Sequence, residues 1–219
     1  MKKLLRLLIY KNPKLKRVHN RLSKNKVKAY KGNSIEIKRA LLRGNYIEIK
    51  GRHNQLIAGE NSRVYGCTID INGDNNTIDV ADNVTLTKAD IKLWGDNNVL
   101  EIGEFTTFNR DCQIKVFEGT KIIIGKECMV SYNVDIRSSD GHPIFDKEGL
   151  RINFAKDIII DDHVWIGSYA NILKGATIMS GSVIGTGSLV TNGHTPPNVV
   201  LAGRPAEILK KDIQWQRKL

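Results

Sequence analysis

Residues 160–190 read IDDHVWIGSYANILKGATIMSGSVIGTGSLV. Every sixth position is aliphatic: Ile160, Ile166, Ile172, Ile178, Ile184 and Val190. Leu, Ile and Val supply 59 of the 219 residues, so six such hits, with six registers allowed, arise by chance roughly once in 400 sequences. Four residues after each of the first five stands a small or β-branched residue: Val164, Ala170, Ala176, Ser182 and Ser188. Upstream, Ile124, Val130 and Ile136 keep the register, with Cys128 and Val134 at the small position. Helical periodicity is absent from 32 to 203, and strand-forming Ile and Val dominate. The physical reading is a triangular prism. Each hexapeptide makes one short flat face and one corner, with its aliphatic residue on the axis. Three hexapeptides close a coil, and stacked coils bury a continuous apolar column that no single coil could bury.

A longer period precedes this one. Gly51-Arg52-His53-Asn54, Gly73-Asp74-Asn75-Asn76 and Gly95-Asp96-Asn97-Asn98 recur every 22 residues, each followed by aliphatic residues. Gly32-Asn33-Ser34-Ile35 is a degenerate earlier copy. Each unit reads as one solenoid coil. Asn54, Asn76 and Asn98 are expected to stack as an amide ladder or to serve as plain turn residues. One segment, 138–157, is polar and turn-rich where a strand is due, and reads as a loop projecting from the prism. The expected fold is all-β, with a basic N-terminal helical arm (1–31), coils of the 22-residue period (32–118), hexapeptide coils carrying the loop (119–203), and a short C-terminal segment (204–219). That last segment, mixed basic and apolar, is expected to form a short helix capping the last coil.

The net charge of +11 comes from 34 Lys and Arg against 23 Asp and Glu. Its position matters more than its size. Residues 1–31 hold twelve cations and no acid, which leaves 22 basic against 23 acidic residues in the rest. A uniformly basic nucleic-acid-binding fold is therefore disfavoured. Leu4, Leu5, Leu7, Leu8 and Ile9 alternate with Lys2, Lys3 and Arg6, which suits a short helix at an anionic membrane surface, a grip on a polyanion, or a cap on the first coil. The apolar run is too short for a membrane span and lacks a cleavage site, so it is read as retained. Cys67, Cys112 and Cys128 have no metal-site spacing and suit buried thiols in a reducing compartment.

The repeat, together with Asp140-Gly141-His142-Pro143, Ile160 to Ser168 and Pro196-Pro197-Asn198-Val199-Val200-Leu201-Ala202-Gly203-Arg204-Pro205-Ala206, resembles the hexapeptide-repeat acyltransferases. Within them it is similar to galactoside and maltose O-acetyltransferases, and more so to capsule and surface polysaccharide O-acetyltransferases of the polysialic acid type. The resemblance is close over about 119–211, loose over 95–118 and absent before. It implies a left-handed parallel β-helix assembled as a homotrimer. It also implies clefts between neighbouring prisms, acetyl-CoA along one edge and a carbohydrate acceptor; the thiols and the basic arm add the expectation of a cytoplasmic enzyme whose arm can dock at the inner face of the membrane. N-acetylation of a nucleotide-linked amino sugar and a non-catalytic scaffold are the competing readings.

The candidate site follows residue by residue. A sugar hydroxyl is a poor nucleophile, and the neutral imidazole of His142 is suited to take its proton and return one to the departing thiol. Asp140 either orients that imidazole and the acceptor or stands as a solvated carboxylate. Trp165, at the sixth position of its hexapeptide, should point outside the prism; the resemblance puts it in the cleft, near the acceptor or the pantetheine arm. Asn109 matches an acceptor-site asparagine of the galactoside enzymes. Ser168 and Thr186 match positions along the pantetheine chain, and Gly185 and Gly187 would let it come close. Arg204, Lys210 and Lys211 are candidates for the CoA phosphates, while Asn192 stands where the family commonly has a cation. No metal is expected: the zinc-dependent γ-carbonic anhydrases on this helix need a local His-x4-His pair, and His142, His163 and His194 stand 21 and 31 apart.

Overall fold

The computed structural model describes residues 24–218. They form a three-sided left-handed β-helix of 25 short strands with no helix among the described residues. Face A stacks Lys26–Ala29, Tyr46–Lys50, Thr68–Asn72, Asp90–Trp94, Gln113–Phe117, Asp135–Arg137, Asn171–Leu173 and Leu189–Val190. Face B stacks Ser34–Ile37, Gln55–Ala58, Thr77–Val80, Val99–Ile102, Lys121–Ile124, Ile158–Ile160, Ala176–Ile178 and Gly193–His194. Face C stacks Leu41–Arg43, Arg63–Tyr65, Thr85–Thr87, Thr107–Phe108, Met129–Val130, Trp165–Ile166, Val183–Ile184 and Val200–Gly203. Within each face successive strands pair in parallel from rung to rung.

The six-residue period runs round the prism as the spacing predicts. Ile160 and Ile178 lie on face B, Ile166 and Ile184 on face C, and Ile172 and Val190 on face A. All six are buried, each worth about 1.5–3 kcal/mol against exposure. The inward column of face C, from Leu42 through Val64, Leu86, Phe108, Val130, Ile166 and Ile184 to Leu201, shows how the rungs register. Lower rungs of face A turn two side chains inward, Ile69 with Ile71 and Ile91 with Leu93, whereas Ile172 stands alone. That wider face accounts for part of the longer 22-residue coil.

The asparagine ladder forms. Asn54 Oδ1 accepts from the backbone N–H and the Nδ2 of Asn76, at 2.8 and 3.0 Å. Asn76 Oδ1 accepts the same pair from Asn98, at 2.8 and 2.9 Å. Asn33 extends the ladder below and the Gly119 N–H closes it above. The three central residues are fully buried, so each amide satisfies a corner that water cannot reach. The glycines opening two of these corners, Gly51 and Gly73, are sterically required. A Cβ on Gly73, at φ 141°, would sit 2.1 Å from the carbonyl oxygen of Gly95.

At the ends, one expectation is not reached and one changes. Residues 1–23, which hold most of the basic arm and its expected helix, lie outside the described residues. Lys26–Ala29 is already the first rung of face A, so the prism begins inside the basic segment. The C-terminal segment is not a helix. Ala206–Lys210 doubles back antiparallel on Val200–Gly203. The last rung of face C would otherwise leave an unpaired edge, which a strand can satisfy and a helix cannot.

Candidate functional site

The projecting loop replaces the corner between faces A and B. The strand ends at Arg137 and the next begins at Ile158, as the break in the repeat predicts. Two polar clamps hold its base. In the first, Asn153, nearly buried, donates from Nδ2 to Asp140 Oδ2 and to the His142 carbonyl, both at 2.8 Å, and accepts from the Ile144 N–H at 2.6 Å. Lys174, on the next rung, reaches Asp140 Oδ2 at 2.5 Å and the Asn153 carbonyl at 3.0 Å. In the second, Glu118 pairs with Arg151 at 2.7 Å and accepts from the Ser139 hydroxyl at 2.5 Å. Partial burial pushes the Asp140 carboxyl up, but Lys174 and Asn153 outweigh it and hold it below the usual carboxylate range.

The result is a histidine with a fixed backbone and an exposed ring. The His142 carbonyl is bonded, while its imidazole has no hydrogen-bond partner among the described residues. No hydrogen bond joins Asp140 to the His142 ring among the described residues; both clamp donors fall on Asp140 Oδ2. Asn153 and Lys174 were not legible as site residues. Only the fold brings a loop asparagine and the corner lysine of the next rung to one carboxylate.

The other candidates lie elsewhere. Trp165 points outward from face C, 37% exposed, and its Nε1 donates to Ser131 Oγ at 3.3 Å. Asn109, Ser168 and the Gly185-Thr186 pair occupy turns between faces C and A, with the 131–134 turn lying between the first two. Exposed Tyr132 and Tyr169 share that edge, with the Tyr169 N–H bonded to the Tyr132 carbonyl. Gly185 has its own structural reason: a Cβ there would lie 2.8 Å from Ala202 Cβ on the next rung. Gly187, at φ 72°, has open space around it. An edge of exposed Thr186, bare Gly187 and half-buried Ser168 fits a thin extended chain that bonds mainly to backbone. Arg204 sits in the terminal hairpin and Lys210 at the far end of its last strand. Six residues separate them, about 20 Å in extended chain, so they do not meet one phosphate. Lys211 follows Lys210, beyond the strand.

His142 and Trp165 therefore stand on opposite sides of the prism. The A–B edge faces away from face C. For a face about five residues wide the separation is about 14 Å before either side chain is counted. A reacting pair needs about 3–3.5 Å. His163 occupies the B–C corner and His194 lies on face B, so the three histidines do not converge. No group of three His, Cys, Asp or Glu among the described residues is placed to hold a metal.

Comparisons with known proteins agree with this architecture. The family described as bacterial transferase hexapeptide (six repeats) matches residues 157–192. A polysialic acid O-acetyltransferase of Neisseria meningitidis is 49% identical over 108 residues, 49% of this chain and 50% of that protein. One from Escherichia coli O1:K1 / APEC is 50% identical over 103 residues, 47% of this chain and 33% of that protein. The matches thus span half or less of the length of these curated relatives. The solved structure of the polysialic acid O-acetyltransferase OatWY superposes with a TM-score of 0.83 at 34% identity, over 89% of this chain and 92% of that one. The chain belongs to the hexapeptide-repeat acetyltransferase family. Within the family frame, the aliphatic column and the corners are the shared scaffold. The loop clamp and the C–A edge carry the candidate site residues.

Proposed function

We propose that the chain is an acetyl-CoA-dependent O-acetyltransferase that acetylates a hydroxyl of a sugar in a surface polysaccharide. It works as a homotrimer whose sites lie between copies. The observation that carries this reading is the division of the candidate site between the A–B edge and face C. The loop of one copy then meets face C of the next. The loop's own surface supports the assembly: Ile144, Phe145, Leu150, Ile152 and Phe154 are each more than half exposed, an apolar load that a neighbouring copy would cover. The relatives support the substrate class.

The thioester supplies the activated acetyl group, which passes to the acceptor within one ternary complex. His142, held by its carbonyl and free at its ring, removes the proton from the attacking hydroxyl and later protonates the leaving thiol. Trp165 and the C–A edge residues Asn109, Ser168 and Thr186 form the opposite wall, and Arg204 offers a cation to the phosphates. The excess of twelve cations in residues 1–31 supports a cytoplasmic enzyme whose arm docks on the anionic inner leaflet. The test is to incubate the protein with acetyl-CoA and a panel of glycans, and to follow thiol release. An alkali-labile ester on the product supports O-acetylation; an alkali-stable amide overturns it. His142→Ala should abolish transfer. Deletion of residues 2–23 should release the protein from anionic vesicles.

A further inference from the structure

The described chain continues past its last rung. Beyond Lys210, residues 211–218 run down the edge between faces B and C. Their path is fixed by named bonds. The Ile213 N–H donates to the Asn198 carbonyl at 3.0 Å. The Trp215 indole N–H donates to the His163 carbonyl at 3.1 Å, and His163 Nε2 lies 3.1 Å from the Trp215 carbonyl oxygen. The two rings stack with centroids 4.1 Å apart and 10° between planes. Lower down, Arg217 donates to the carbonyls of Cys128 and Phe105, at 2.7 and 3.0 Å, and to Thr107 Oγ1 at 3.2 Å. Such a surface segment loses about 1–2 kcal/mol per residue in backbone freedom, which these bonds and the ring stack must offset.

The tail reaches the candidate site through one ring. Trp215 lies 6.0 Å from Trp165, tilted by 46°. The other tether on Trp165 is its long bond to Ser131. His163 sits at the B–C corner and Ser168 at the C–A corner, so Trp165 stands between the tail and the open edge.

We propose that Trp215 is a positioning residue that fixes the Trp165 ring, and that the tail walls face C on its B side and confines substrate to the C–A edge. The proposal rests on the reading of Trp165 as a site residue. Within the chain, the rigid anchor is His163, which clamps Trp215 through two bonds and a stacked ring.

Full-length wild type, Trp215→Ala and Trp215→Phe are compared in steady-state acetyl transfer, with oligomeric state and melting checked for each. Trp215→Ala should lower kcat about tenfold while the KM for acetyl-CoA moves less than about threefold, and Trp215→Phe, which keeps a ring, should stay within about threefold of wild type. A Trp94→Phe background leaves Trp165 and Trp215 as the tryptophans. Their tilted pair should give an exciton couplet in circular dichroism that Trp215→Phe removes. Unchanged kcat in Trp215→Ala overturns the proposal. So does an equal fall in both variants that tracks a lower melting temperature. A wild type that neither transfers acetyl nor hydrolyses the thioester overturns the functional reading, and the proposal falls with it.

Discussion

If each site takes its histidine from one copy and its tryptophan from the next, two dead variants should rescue each other. His142→Ala alone should lose about 100-fold or more in kcat, the usual scale for removing a general base. Trp165→Ala removes the opposite wall. In a cyclic trimer an intact site needs a Trp165→Ala copy giving its histidine and a His142→Ala neighbour giving its tryptophan. Random assembly of equal amounts meets that condition with probability one half twice, so about one quarter of wild-type activity should return. Mixed trimers isolated by two affinity tags hold one correct junction in three, hence about one third of wild-type activity. The separation of about 14 Å across the prism is what makes the number sharp, since no rotamer change brings the two groups together in one chain. The assay is thiol release from acetyl-CoA with a glycan acceptor, after co-expression. Activity of the mixture equal to the mean of the two parents would refute the reasoning, as would a fully active monomer.

Other outcomes follow from individual contacts. Asn76→Ala removes the acceptor of the buried Asn98 N–H and breaks the ladder; a cost of about 2–4 kcal/mol is expected, mostly for the orphaned donor, measurable by denaturant unfolding. Lys174→Ala should loosen the loop clamp by about 1 kcal/mol and cut turnover severalfold, read by amide exchange in the loop and by kcat. Because the Asp140 carboxyl is held low in the folded state, its contribution is complete above the unfolded value of about 3.9 and is lost as pH falls through the lower folded one; loop protection should therefore persist to pH 4 and fail below. Burial pushes the thiols of Cys67, Cys112 and Cys128 up to about 11. At pH 8 each should react with a disulfide reagent more than about 200-fold slower in the native protein than after unfolding.

How much of this was legible depended on the range of each interaction. The axial column was legible because every sixth residue must be aliphatic whatever the corner looks like, and Ile166 or Ile184 cannot be moved without losing a face. The ladder was legible because Asn54, Asn76 and Asn98 each repeat the same local problem. The loop showed itself as a gap in the period. Its clamp did not, since Asp140, Asn153 and Lys174 are brought together by loop closure and rung stacking, neither of which leaves a spacing in sequence. The mixed composition of the C-terminal segment suits a capping helix as well as a strand; the unpaired edge above Val200–Gly203 decides for the strand. The division of His142 from Trp165 follows from counting faces round the prism. The contact of Trp215 with His163 joins residues 52 apart and has no local signature.

The uniform registration of the lower coils has a consequence for how length can vary. Residues 51–72 form one full turn, and Lys50 and Asn72 occupy equivalent places on adjacent rungs. Excising that turn would join Lys50 to Gly73 with each face one strand poorer and every inward column still in phase. The pedestal would become shorter by about 4.8 Å, while the loop and the terminal strap, which touch only rungs above it, kept their neighbours. Height below the loop-bearing rungs is thus a dimension that can be counted in whole turns, independent of what the upper rungs carry.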